Sequence, residues 1–206
     1  MDLVNDADLI TASSQALTAR RSTPSYQKWT ENLSTHLGKV QAATEHDFRT
    51  DAFQRELWES EAISATGQGF VPTKTFWTDQ TIIDILREVR TLEATEASQG
   101  ITNELQLLWD AVADRIRQLE SRVPRLKLTR VFAALQPRHF TSLADFDALV
   151  RLAKALGVGK ARDGLAVLHQ RVLDRLDSIW SEIQIPSDEP PELTRLKLPW
   201  LLLKGR

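Results

Sequence analysis

The strongest constraint on this chain is the spacing of apolar residues between Leu105 and Val123. Leu105, Leu108, Trp109, Val112, Ile116, Leu119 and Val123 recur at intervals of three and four. That interval puts them on one stripe of an α-helix. Pro124 ends the run. A shorter helix is expected from Leu126 to Leu135, stopped by Pro137. A third is expected to start at Ser142, an N-cap with Asp145 three residues on, and to end at Gly157, a good C′ residue.

The same periods run through the rest of the sequence. Ala7, Ile10, Ala16 and Leu17 mark a helix from about Asp6 to Arg20. Thr23 and Pro24 supply an N-cap and an N1 proline for a helix carrying Trp29, Leu33, Leu37 and Val40. Thr44 to Asp47 caps the next, with Phe48, Phe53, Leu57 and Trp58. Thr78 caps a helix holding Ile82, Ile83, Leu86 and Val89, and a long helix is expected from about Arg162 to Ile183. The pattern predicts an all-α fold of about seven helices in a helical bundle. It has one Gly/Pro-containing loop near 64–77, where Gly67, Gln68, Gly69 and Pro72 break the helical period.

Domain organisation is read from the end of the chain. Pro186-Ser187-Asp188-Glu189-Pro190-Pro191 is polar and proline-rich, as linkers are. It precedes an apolar tail with Leu196, Leu198, Trp200, Leu201 and Leu202, which must bury itself on something. The expected division is a helical recognition or assembly domain over 1–183, then 184–206 as a linker and the start of a following domain.

Composition narrows the chemistry. Hydrophobic residues form 42% of the 206, enough for a core. There is no cysteine, which removes disulfides and thiolates and fits a reducing, cytoplasmic setting. The N-terminus lacks the features of a signal peptide, and no apolar run is long enough to span a membrane. His36, His46, His139 and His169 show no i, i+4 pair of the kind a helical zinc site uses. No Gly-x-Ser-x-Gly elbow is present. Neither a metal site nor a cofactor site is expected, and the chain is not expected to be an enzyme.

Charge is placed unevenly. Residues 1–114 hold 9 Lys/Arg against 18 Asp/Glu, and residues 115–206 hold 17 against 10. A positive half of this kind points to a polyanion, or else to pairing with the acidic half. The positive charge concentrates in Arg115, Arg117, Arg122, Arg125, Lys127, Arg130 and Arg138, with His139 beside them. Between 114 and 139 only Asp114 and Glu120 offset it. Guanidinium forks suit phosphate oxygens, so these eight residues are the candidate DNA-binding set. Gly67, Gln68, Gly69 and Trp77 form a candidate loop contact, with Trp77 as a stacking surface. A packed turn is the ordinary alternative for those four.

Lys127-Leu128-Thr129-Arg130-Val131-Phe132-Ala133-Ala134-Leu135-Gln136-Pro137, His139-Phe140-Thr141 and Ala155-Leu156-Gly157 resemble the N-terminal regions of McrB-like AAA+ proteins of modification-dependent restriction systems. Leu57-Trp58-Glu59, Ser64-Ala65-Thr66-Gly67-Gln68-Gly69 and Lys197-Leu198-Pro199-Trp200-Leu201-Leu202 look similar too. These stretches cover about a third of the chain. The resemblance implies a target-recognition or assembly role in antiviral defence. DNA, modified or not, would be the target, an AAA+ motor domain would follow in the same parent chain, and a nuclease subunit would be a partner. No Gly-x-x-x-x-Gly-Lys-Ser/Thr motif is present, so nucleotide hydrolysis is not implied for these residues. The alternative is a helical protein–protein interaction domain that positions or senses partner subunits.

Overall fold

The computed structural model describes residues 2–19, 21, 23–60, 62, 74–92, 98–159 and 163–204. These fold into α1 (Asp6–Ala19), α2 (Pro24–Ala42), α3 (Glu45–Phe48), α4 (Asp51–Glu59), α5 (Lys74–Trp77), α6 (Gln80–Thr91), α7 (Ser98–Leu119), α8 (Arg125–Leu135), α9 (Phe146–Ala155), α10 (Leu165–Asp177) and α11 (Pro191–Lys204). One 3₁₀ turn, Trp180–Glu182, follows α10. The all-α class holds, and the described residues contain no strand. There are more helices than seven: eleven among the described residues, nine of them with seven residues or more.

One extra helix comes from local caps. Thr44 and Asp47 form a reciprocal capping box at α3. The Thr50 hydroxyl then accepts from the Phe53 N–H at 3.3 Å and starts α4. Two caps within one apolar stripe divide what reads as one helix. The helix expected over 162–183 ends at Asp177. Two other starts shift. Asp79, not Thr78, caps α6, accepting from Ile82 N–H at 3.0 Å. Asp145, not Ser142, caps α9, accepting from Ala148 N–H at 2.7 Å. Ser142 is buried and donates its N–H to the Leu196 carbonyl at 3.0 Å.

The chain divides into two compact units, Met1–Glu31 with Pro137–Arg206, and Asn32–Gln136. They are called unit 1 and unit 2. The start of α2 belongs to unit 1 and the remainder to unit 2.

Unit 2 is built around α8. Every residue from Leu128 to Gln136 is buried, as expected of a helix packed by α4, α6 and α7. Leu57, Ile82, Leu86, Val112, Ile116 and Phe132 form the core around it, each at 2% exposure or less. Trp58 and Phe76 meet at 5.7 Å between ring centroids. Gln136 closes the unit: its Nε2 donates to the carbonyls of Val89 at 2.5 Å and Leu92 at 3.2 Å. Those carbonyls sit at the end of α6, where helix geometry leaves acceptors unpaired.

Unit 1 packs α9 against α10 and α11, and α1 against α11. Gly157 ends α9 with φ +72°, the left-handed conformation that a C′ glycine supplies at little steric cost. At Gly159 a Cβ would lie 2.5 Å from Ala153 Cβ and 2.9 Å from Leu168 Cδ2. Only glycine lets α9 and α10 approach so closely there.

The division expected at residue 184 differs from this arrangement. Residues 184–204 belong to unit 1, where Leu196, Leu198, Leu201 and Leu202 are buried. The proline-rich stretch is anchored too. Asp188 pairs with Arg21. Glu189 accepts from Lys197 Nζ at 2.7 Å and from Thr194 Oγ1 at 2.8 Å. Lys197 is fully buried and also donates to Thr30 Oγ1 at 2.9 Å. Its ammonium stands 4.6 Å from the Tyr26 ring centroid, a cation–π distance. Burial, and next the charge on Glu189, push the Tyr26 hydroxyl up to about 12.

Candidate nucleic-acid interface

The seven candidate cations and His139 divide between the units: Arg115 to Arg130 lie in unit 2, Arg138 and His139 in unit 1. Within unit 2 their environments differ sharply.

Arg115, near the end of α7, is spent on structure. Its Nε lies 3.2 Å from both Asp79 oxygens and its Nη2 lies 2.7 Å from Oδ2. Nη1 donates to Gln118 Oε1 at 3.0 Å. The same Asp79 caps α6, so one carboxylate joins the start of α6 to α7. The Arg115 hydrogen bonds hold the Asp79 carboxyl below the usual carboxylate range. Arg117, one helical turn beyond Asp114, pairs with that residue. Arg130 is 7% exposed, because the apolar neighbours of α8 enclose it. The carboxylate pairs of Arg115 and Arg117 and the burial of Arg130 set these three apart from the other candidates. Burial keeps Arg130 from a phosphate, and a phosphate would compete with Asp79 and Asp114 for Arg115 and Arg117.

Arg122, Arg125 and Lys127 remain. They follow one another around the Pro124 corner between α7 and α8. Arg122 and Arg125 are exposed and Lys127 is half-buried. None has a carboxylate partner among the described residues. Glu120, the nearest acid in sequence, accepts from the Thr75 hydroxyl at 2.9 Å. The first turn of α8 contains no acid, and its N-cap, Pro124, has no side chain to cap it. Cations at a helix N-terminus face the positive end of the helix dipole. That placement is unfavourable in isolation and is relieved by an anion.

In unit 1, Arg138 is exposed and its side chain has no partner among the described residues. His139 is half-buried, with Nδ1 2.8 Å from Gln170 Oε1. Gln170 in turn donates to Asp174 Oδ1 at 2.7 Å. Sequence reading missed this chain. Its visible signal is the Gln170 and Asp174 spacing of four on α10; its link to His139 spans 31 residues.

Of the candidate loop contact, Gly67, Gln68 and Gly69 lie outside the described residues. Trp77 ends α5 and is 9% exposed, so it is a core residue and offers no stacking face. Among the described residues no group of three or more His, Asp or Glu is arranged to hold a metal ion. None of their helices is long and apolar enough to cross a membrane.

Neither protein-family models, curated proteins nor solved structures yield a match to this chain.

Proposed function

We propose that this chain is a helical DNA-binding module that grips the phosphate backbone through the α7–α8 corner. The supporting observation is that Arg122, Arg125 and Lys127 follow one another along the chain at the uncapped start of α8 without a carboxylate partner among the described residues. Three such cations fit phosphate oxygens, and contacts to phosphate carry no sequence information. The module therefore contributes affinity, and sequence or modification reading falls to other residues or to a partner. The resemblance to McrB-like N-terminal regions would set this module beside an AAA+ motor and a nuclease in a restriction system.

One specific observation favours the second reading, a protein-interaction domain. Arg115 and Arg117 are both engaged by carboxylates of residues 1–114, as expected if the basic residues serve the fold.

Salt dependence separates the two. Three phosphate contacts give a slope of log affinity against log salt of roughly −3, from about −0.9 per contact. The slope should be the same on duplexes of unrelated sequence. Absence of duplex binding at low salt, or a slope near zero, would favour the interaction reading.

A further inference from the structure

Two ties join the segment before α6 to the end of α7. Arg115 Nη2 donates to Asp79 Oδ2 at 2.7 Å, and Thr75 Oγ1 donates to Glu120 Oε1 at 2.9 Å. Residue numbers fall from 79 to 75 as they rise from 115 to 120. The segment therefore runs antiparallel to α7, and Thr75 lies toward the α7–α8 corner. Between the ties, Phe76 and Trp77 are buried in the core of unit 2. Packed neighbours thus place the Thr75 hydroxyl, although Thr75 itself is exposed.

Glu120 is the one acid in the sequence between Asp114 and Asp145. It stands two residues before Arg122 and five before Arg125. On the surface of unit 2, a carboxylate that near in sequence can claim a guanidinium. Asp114 takes Arg117 three residues away, and Glu59 takes Arg55 four away. Arg122 and Arg125 have no carboxylate partner among the described residues, and Glu120 accepts from Thr75 instead. A charge-assisted hydrogen bond to a donor held in place outlasts an exposed ion pair between two flexible side chains.

We infer that Thr75 is a positioning residue of the phosphate-binding corner: its hydroxyl holds the Glu120 carboxylate on α5, away from Arg122 and Arg125, and so leaves both guanidiniums to phosphate. All of these groups belong to unit 2. The inference rests on the DNA-binding reading and adds what keeps its site open. Without the hydroxyl, Glu120 turns to the nearest guanidinium, and a phosphate must displace it. Valine keeps the shape of threonine and lacks the donor; serine keeps the donor.

The test measures binding of the full chain to a short labelled duplex over a series of salt concentrations at constant pH. Thr75→Val should lower affinity at low salt by roughly two- to fivefold, the range that an exposed ion pair supplies. It should flatten the salt slope by up to about 0.9, as one contact is contested. Thr75→Ser should bind as the wild type does. Glu120→Gln removes a negative charge wherever that charge sits, so its gain is compared between backgrounds. The gain should be larger in Thr75→Val than in the wild type, and the double variant should recover the wild-type slope. Circular dichroism checks that each variant is folded, and Thr75→Ala carries the same test if Thr75→Val is not. Three results overturn the inference and leave the DNA reading standing: unchanged affinity and slope in folded Thr75→Val, an equal loss in Thr75→Ser, or an equal Glu120→Gln gain in both backgrounds. Absence of duplex binding by the wild type overturns the DNA reading and the inference with it.

Discussion

Units 1 and 2 hold their paired cations at different depths. In unit 1 several described cations are tied into the fold: Arg171 pairs with Asp163 at 2.7 Å, Arg175 with Asp6 at 2.6 Å and Arg195 with Asp177 at 2.6 Å. Lys197 is buried on Glu189. In unit 2 most ion pairs run along the surface, and Arg122, Arg125 and Lys127 have no carboxylate partner among the described residues. The basic surplus after residue 114 therefore overstates the surface open to a polyanion. What decides binding is the set of cations the fold leaves unclaimed.

The largest effect expected from this contrast is at Lys197. Lys197→Met leaves Glu189 nearly buried without its counter-charge and should cost about 3–5 kcal/mol, the usual cost of breaking a buried pair. Lys197→Met combined with Glu189→Leu should recover most of the loss. Urea unfolding of the single and double variants reads both, and a near-neutral single variant would mean that the buried pair is dispensable.

Acid should weaken unit 1 next. Burial pushes His169 down to about 3 from 6.5, so the folded state holds it neutral where the unfolded chain is protonated. Its contribution is complete above pH 6.5 and is lost as pH falls from 6.5 toward 3, at up to about 1.4 kcal/mol per pH unit. Burial also lowers His36, in unit 2, so part of the acid response lies outside unit 1. His169→Gln, whose carbonyl can accept the Thr141 N–H, should flatten the urea midpoint against pH without abolishing its slope. An unaltered slope would remove His169 from the explanation.

A smaller effect is expected at Asp79. Asp79→Ala removes the α6 N-cap and the Arg115 fork together. The cap alone is worth about 0.5–2 kcal/mol, and thermal unfolding should show that loss. Duplex affinity should not fall, because the freed Arg115 adds a cation to the surface. A drop in affinity in the folded variant would mean that the α6–α7 tie shapes the binding surface.

Much of the helical framework is legible in the sequence because periodicity and caps are local. The stripe from Leu105 to Ile116 is the core face of α7, with Leu105, Val112 and Ile116 fully buried, and the helix stops at Leu119, short of Val123; Gly157 ends α9 in the conformation its position implies. Boundaries shift where two cap residues compete, as at Thr78 and Asp79. The site is less legible because it depends on distant partners. Arg115 finds Asp79 across 36 positions and His139 finds Gln170 across 31. Arg130 looks like a member of the basic run until α4, α6 and α7 close around α8. Neither charge spacing nor composition carries that information.

The most direct measurement compares two sets of substitutions by salt-dependent duplex binding. One changes Arg122, Arg125 and Lys127 together to Gln; the other changes Arg115 and Arg117 to Gln. At constant pH, the first should flatten a slope of roughly −3 to near zero, at about 0.9 per lost contact. The second should lower stability and leave the slope unchanged. A folded triple variant that keeps its slope, or a pair variant that loses it, would contradict the assignment of binding to the cations that the fold leaves unclaimed.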